Sequence, residues 1–152
     1  MLGVVKQFLV LGQDPNCPAE ESEASWDYTP LSLAVHWARE IMWLYLLKNG
    51  AKLDLAGSRG LTPLHVICTE RFVNSVKYFF KIIDDIGLEV QINVQSNEKW
   101  TLLQLAVANI EPEIVEVILD RGADLSRFAL HDKTVFEKDR IRYIEDKEKN
   151  KF

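Results

Sequence analysis

The chain has 152 residues, 47% of them hydrophobic and 27% charged, with 18 Lys and Arg against 23 Asp and Glu for a formal charge of -5. That length suits one compact unit, and the acidic balance argues against a binder of nucleic-acid backbones, which needs a basic stripe. Two cysteines, Cys17 and Cys68, are too few for a disulfide framework or a four-thiolate zinc site and fit a reducing compartment, so cytoplasmic or nuclear residence is expected.

From the N-terminus, Val4-Val5 with Phe8-Leu9 and then Gly12 read as an amphipathic helix stopped by glycine. These apolar runs fall far short of the roughly 20 residues of a membrane span. Lys6 sits in their middle and no small-residue cleavage site follows, so neither a signal peptide nor a membrane helix is expected. The acidic, proline-containing stretch over 17–26 reads as an exposed loop. Thr29-Pro30-Leu31-Ser32-Leu33-Ala34 then opens a short helix, with the Thr hydroxyl capping it and Pro at its first position, where no N–H is missed. Met42, Trp43, Leu46 and Leu47 stripe a second, longer helix that Gly50 ends.

The same arrangement returns twice. Thr62-Pro63-Leu64-His65-Val66-Ile67 stands 33 residues after the first copy, followed by Ser75, Val76, Phe79 and Phe80, with Ser75 the weak member. Thr101-Leu102-Leu103-Gln104-Leu105-Ala106 comes 39 residues later, followed by Ile114, Val115, Ile118, Leu119 and the stop at Gly122. The six extra residues of the middle unit lie around Asp84 to Glu89 and are expected to form a solvated loop. A last helix over 134–145 and a charged tail are expected to cap the array.

Two motifs in phase, Thr-Pro-Leu at two of the starts with Thr-Leu-Leu at the third, and Leu-Leu-x-x-Gly-Ala or Ile-Leu-x-x-Gly-Ala near two of the ends, make the chain resemble the ankyrin-repeat family across nearly its whole length. The resemblance implies an all-α solenoid of stacked helix-turn-helix units with short β-turn tips. Its divisions are an N-terminal half repeat over 1–16, an acidic insertion over 17–26, and repeats over 27–58, 59–98 and 99–131. A capping helix and tail over 132–152 complete the set. Because the first unit lacks its opening helix, the expectation is a fragment or truncated product of a longer array; a bare N-terminal cap is the alternative. The long middle unit, with Phe79-Phe80-Lys81-Ile82 and Val90-Gln91-Ile92, also looks like arrays in insect proteins, particularly those of parasitoid wasps. The 18 residues after Thr134 are expected to be too few for the F-box-related domain that ends some of them.

No phosphate loop, His-Glu-x-x-His pair, Cys-x-x-Cys or Gly-x-Ser-x-Gly turn is present, so no catalytic, cofactor or metal residues are assigned. His65 and Cys68 share one helical face and can be drawn as a base and a thiol. The resemblance instead gives the His of Thr-Pro-Leu-His a bond within the turn, with Ser32 and Gln104 as weaker substitutes. His36 and His131 are isolated, and Asp84, Asp85 and Glu89 lack the spaced oxygens of a calcium loop.

The expected function is therefore recognition of a protein partner by a monomer, without chemistry and without nucleic acid or membrane. The resemblance implies that partners bind the concave side, made of the turn tips and the outer face of the first helices. Counted from each Thr, that side collects Trp26, Tyr28, His36 and Trp37, then Arg59, Leu61 and Glu70, then Glu98, Trp100 and Asn109. Ser25, Ser58, Thr69, Asn97 and Ala108 fall beside them. Three of the four tryptophans land there while Trp43 falls on the core, and Trp, Tyr and Arg dominate interface hot spots.

Overall fold

The computed structural model describes residues 12–17, 28–69 and 73–128. The expected capping helix and tail, most of the N-terminal half repeat and most of the acidic insertion lie outside the described residues. Six α-helices follow in order: α1 (Pro30–His36), α2 (Glu40–Lys48), α3 (Pro63–Thr69), α4 (Val73–Ile86), α5 (Leu102–Ala108) and α6 (Pro112–Asp120). A short 3-10 turn over Leu125–Arg127 closes the described chain.

Each short helix starts on the same local device. Thr29 Oγ1 accepts from Ser32 N–H at 3.2 Å and Thr101 Oγ1 from Gln104 N–H at 3.2 Å, which satisfies one of the donors a helix start leaves open. The third residue of the helix answers back. Gln104 Oε1 accepts from Thr101 N–H at 2.9 Å, a complete capping box, and His65 Nδ1 accepts from Thr62 N–H at 3.2 Å. Ser32 is too short to reach that N–H and instead takes the Thr29 hydroxyl at 3.0 Å.

The helices form two layers. α1, α3 and α5 stack in one and α2, α4 and α6 in the other, with α1 against α2 and α5 against α6. This is an all-α repeat fold, whose one β-bridge among the described residues joins Gln95 and Thr101. The central helix α3 has neighbours on both sides and is buried at every residue from Pro63 to Thr69. Leu31, Leu64, Leu103, Ala34 and Ala106 are all buried where the short helices meet, the alanines letting backbones come close. In the second layer Trp43 and Phe79 meet edge to face, with ring centres 5.4 Å apart. Leu119 is 37% exposed although the stripe placed it with Ile114 and Ile118, both fully buried.

The extra residues of the middle unit are a solvated loop only over 87–89. α4 runs for 14 residues where α2 and α6 each have nine, so most of the added length continues the helix through Asp84 and Asp85. Leu88 N–H to Ile83 O and Gly87 N–H to Asp84 O, at 3.0 Å each, then close it. The extension is useful to the stack. Asp84 receives both guanidinium nitrogens of Arg121, at 3.0 and 2.6 Å, while the same guanidinium lies 4.2 Å over the Phe80 ring. Arg121 thereby holds the Asp84 carboxyl below the usual carboxylate range, the hydrogen bond being the main cause.

Two asparagines, unremarked in the repeat pattern, bracket successive units. Asn16 Nδ2 donates to Gly50 O at 3.0 Å and its Oδ1 accepts from Lys52 N–H at 2.8 Å. Asn93 repeats this with Gly122 O at 3.2 Å and Asp124 N–H at 2.8 Å.

Among the described residues, three with a side chain occupy left-handed backbone: Ala38, Lys99 and Ile110, with φ of 50°, 68° and 57°. Ile110 is the most strained by type, since its branched Cβ crowds the carbonyl in that region, and it is 74% exposed and so has little packing to lose. Ile110→Gly is expected to stabilise the fold by about 1 kcal/mol. It should appear as a higher urea midpoint at unchanged slope; an unchanged or lower midpoint would show that the strain is not there.

Candidate functional site

The turn tips before α3 and α5 are locked to each other. Gly60 takes φ of +71°, and a Cβ there would lie 2.6 Å from the Asn97 backbone nitrogen, so no other residue fits without moving the next tip. Asn97 N–H donates to Arg59 O at 3.3 Å and its Nδ2 to Ser58 O at 2.8 Å. Arg59 and Glu98 face one another at 3.9 Å, both partly exposed, a pair worth little in stability at such exposure. Ser58, Asn97 and Glu98 are exposed and Arg59 is half-buried, so these two tips present a rigid polar edge.

The first unit carries a cluster of aromatic rings. Tyr28 stacks on His36 with centroids 5.7 Å apart and planes 16° apart, and His36 meets Trp37 edge to face at 5.2 Å and 77°. Trp37 closes α1, its N–H bonded to Leu33 O at 3.1 Å, and the residue is 50% exposed.

The remaining expected positions divide sharply. Trp100 is 5% exposed and not on the open face. Its carbonyl accepts from Ser96 N–H at 2.9 Å and from His65 Nε2 at 3.2 Å, and its N–H donates to Ser96 Oγ at 3.2 Å. Of these bonds, the one from His65 joins the residue's backbone to the preceding unit. Leu61 and Tyr28, which precede the other two Thr residues, are likewise packed against the core and only half open. The place before Thr therefore points inward, contrary to expectation. Thr69 is buried as well, its Oγ1 donating back to Val66 O at 2.7 Å. Asn109 is half-buried and ties units together, its Nδ2 reaching Leu105 O at 2.9 Å and Cys68 O at 3.4 Å. Ala108 is half-buried too. Ser25, Trp26 and Glu70 lie outside the described residues.

His65 and Cys68 do not form a reactive pair. Because Nδ1 accepts from Thr62 N–H, the ring proton is assigned to Nε2, which donates to Trp100 O, so both nitrogens are occupied. Burial lowers the His65 pKa to about 4 against the opposing pull of the Trp100 carbonyl. Burial alone pushes the Cys68 thiol up to about 12, which leaves it protonated and inert at neutral pH. Among the described residues no three His, Cys, Asp or Glu side chains group as metal ligands, and no helix is long and apolar enough to cross a membrane.

Thr-capped short helices, glycine-stopped long ones and tips joined edge to edge define a stacked-repeat protein. A family model of ankyrin repeats, in three copies, matches residues 38–129, and the chain belongs to the ankyrin-repeat family. Ankyrin repeats are protein-interaction modules, and no enzyme family is indicated. Similar proteins include human Ankyrin repeat and SOCS box protein 3, 32% identical over 59% of this chain and 17% of that protein. The Drosophila melanogaster transient receptor potential cation channel subfamily A member 1 is 27% identical over 78% of this chain and 10% of its own length. A tyrosine-protein kinase of Hydra vulgaris is 31% identical over 71% of this chain and 13% of the kinase. The chain thus spans between a tenth and a fifth of each of these relatives.

Proposed function

We propose that the chain is a non-catalytic recognition module, an adaptor or inhibitor in the cytoplasm or nucleus. It binds a protein partner as a monomer along the edge that runs from Trp37 past Ser58 and Arg59 to Asn97 and Glu98. The observation that supports this reading best is Trp37, a large ring half open to water on a rigid support, with two further rings beside it. Such a residue presents much contact area at little ordering cost. The stacked repeats supply the rigidity, since each unit is fixed by its neighbours.

A second reading is that the chain is one segment of a larger protein whose activity lies elsewhere. The small share of each relative that it spans supports this, as those relatives include a channel and a kinase by name. The two readings agree on the binding edge. The likeness of the long middle unit to parasitoid wasp arrays stays within the same proposal.

Affinity capture from a native lysate tests the edge. Trp37→Ala and the pair Arg59→Ala with Glu98→Ala should each keep the helical circular dichroism and reduce capture about tenfold or more, as expected of a hot-spot loss near 2 kcal/mol. Full capture by all of these variants would place the partner elsewhere.

A further inference from the structure

We propose that a cleft between the first and second units binds a small molecule with a primary ammonium on an apolar body, the ammonium held by Asp54 and Glu89. None of the residues that line the cleft belongs to the recognition edge above, so the inference stands apart from that reading.

Two independent observations carry it. The first is a closure made at two seams and not at the one between them. Each long helix ends in the same way: Gly50 N–H donates to Leu47 O and Ala51 N–H to Leu46 O, Gly87 and Leu88 repeat this on Asp84 O and Ile83 O, and Gly122 and Ala123 on Leu119 O and Ile118 O. Asn16 brackets Gly50 O and Lys52 N–H, and Asn93 brackets Gly122 O and Asp124 N–H. In the same register the middle unit offers Gly87 O and Glu89 N–H. The residue placed to bracket them is Asp54, which stands 54 minus 16, or 38, places after Asn16 and 93 minus 54, or 39, before Asn93. Asp54 is exposed and makes no hydrogen bond or ion pair among the described residues. A carboxylate has no hydrogen to give a carbonyl, so the donor that asparagine supplies at the other seams is what this one lacks.

The second is the space at that seam. A cleft of about 410 Å³ lies there, within the roughly 300–1,000 Å³ of small-molecule sites. Leu47 and Leu53 of the first unit and Leu64 of the second line it from buried positions, joined by Leu88 and the half-buried Val94. Asp54 lines it from the first unit and Glu89 from the second, both exposed. Lys52 is the one basic residue of the lining and pairs with neither carboxylate, so the cleft keeps a formal excess of one negative charge. An ammonium offers three N–H donors, enough for both carboxylates and one carbonyl, while its apolar body covers the leucines. A neutral head leaves the excess charge unmatched, and an acidic head is repelled. A metal ion fits less well, because no three acidic, His or Cys groups gather among the described residues and an ion leaves the apolar lining unused.

The test uses the full chain, isotope-labelled, and three probes that share one apolar body: phenylbutylamine, phenylbutanol and phenylbutyrate. Amide NMR titrations should show the amine binding about tenfold more tightly than the alcohol and the carboxylate not binding. The shifts should centre on residues 50–54 and 88–94. Asp54→Ala and Glu89→Gln should each weaken the amine about fivefold with unchanged helical circular dichroism, and Lys52→Gln, which removes a like charge, should tighten it about twofold. Asp54→Asn supplies the amide of the other seams and should weaken the amine about fivefold while raising the urea midpoint. Equal affinity for amine and alcohol, shifts centred elsewhere in the chain, or amine binding unaltered in both Asp54→Ala and Glu89→Gln overturns the proposal.

Discussion

Lowering the pH from 7 to about 4 is expected to cost the fold about 3 kcal/mol through His65 alone. At neutral pH the ring is uncharged in both states. As the pH falls through 6.5 the unfolded chain takes up a proton, whereas the folded chain, whose His65 is buried with both nitrogens committed, does not do so until about 4. Stability is therefore fully present above the unfolded value and drains away by about 1.4 kcal/mol per pH unit across the window between the two. The Asp84 carboxylate does not blur this window. Its pKa is lowered from 3.8, so its contribution persists above that value and is lost only at more acid pH.

His65→Gln separates this titration from the cap that His65 also makes. Gln104 shows that a glutamine in this place holds the Thr N–H at 2.9 Å, so the variant keeps the cap and has no titrating group. Urea unfolding at several pH values should show a steep fall for the natural chain between pH 6.5 and about 4 and a shallower line for His65→Gln. An unchanged slope in the variant would move the titration to another group. His65→Ala is expected to lose both, leaving Thr62 N–H without its acceptor in a buried seam while Trp100 O keeps Ser96 N–H, at about 1 to 3 kcal/mol.

Much of the fold was legible because its devices are local. A Thr cap, the residue three places on and a glycine stop are each read within one turn of chain, and they recur at fixed spacing. Their partners across units were not legible. Nothing within a repeat says that His65 reaches 35 residues ahead to Trp100 O, a bond that ties the second unit to the third beside the buried Trp100. Asp84 failed for a related reason. An acidic pair beside Ile86-Gly87 looks like a solvated turn until Arg121, 37 residues on, supplies the charge that makes a further helical turn worth forming. The exposure of Trp37 follows from its position at the end of α1, a property of the local helix. The proposed edge is narrower than position counting suggests, since Tyr28 and Leu61 are half-buried against the core and Trp100 is buried.

Trp43→Ala is expected to destabilise the chain by about 4 kcal/mol, a large part of the 5–15 kcal/mol that holds a typical domain together. Trp43 is fully buried, and its ring joins two units, meeting Phe79 at 5.4 Å edge to face and Tyr78 at 6.5 Å. Its indole N–H also donates to Ala34 O at 2.8 Å, which ties α2 to α1. Truncation leaves a cavity at the junction of both layers that α2 and α4 cannot close without losing their contact. Trp43→Phe should cost only about 1 to 2 kcal/mol, because a ring still faces Phe79 and Ala34 O keeps its second donor, Arg39 N–H at 2.9 Å. The comparison with Phe79→Ala decides whether the ring pair couples the units. In a double-mutant cycle read by urea unfolding, Trp43→Ala with Phe79→Ala should cost less than the two singles added, by about 1 kcal/mol. Strict additivity would mean that each ring only fills space in its own unit, and the seam between the first two repeats would then be held by the short helices α1 and α3.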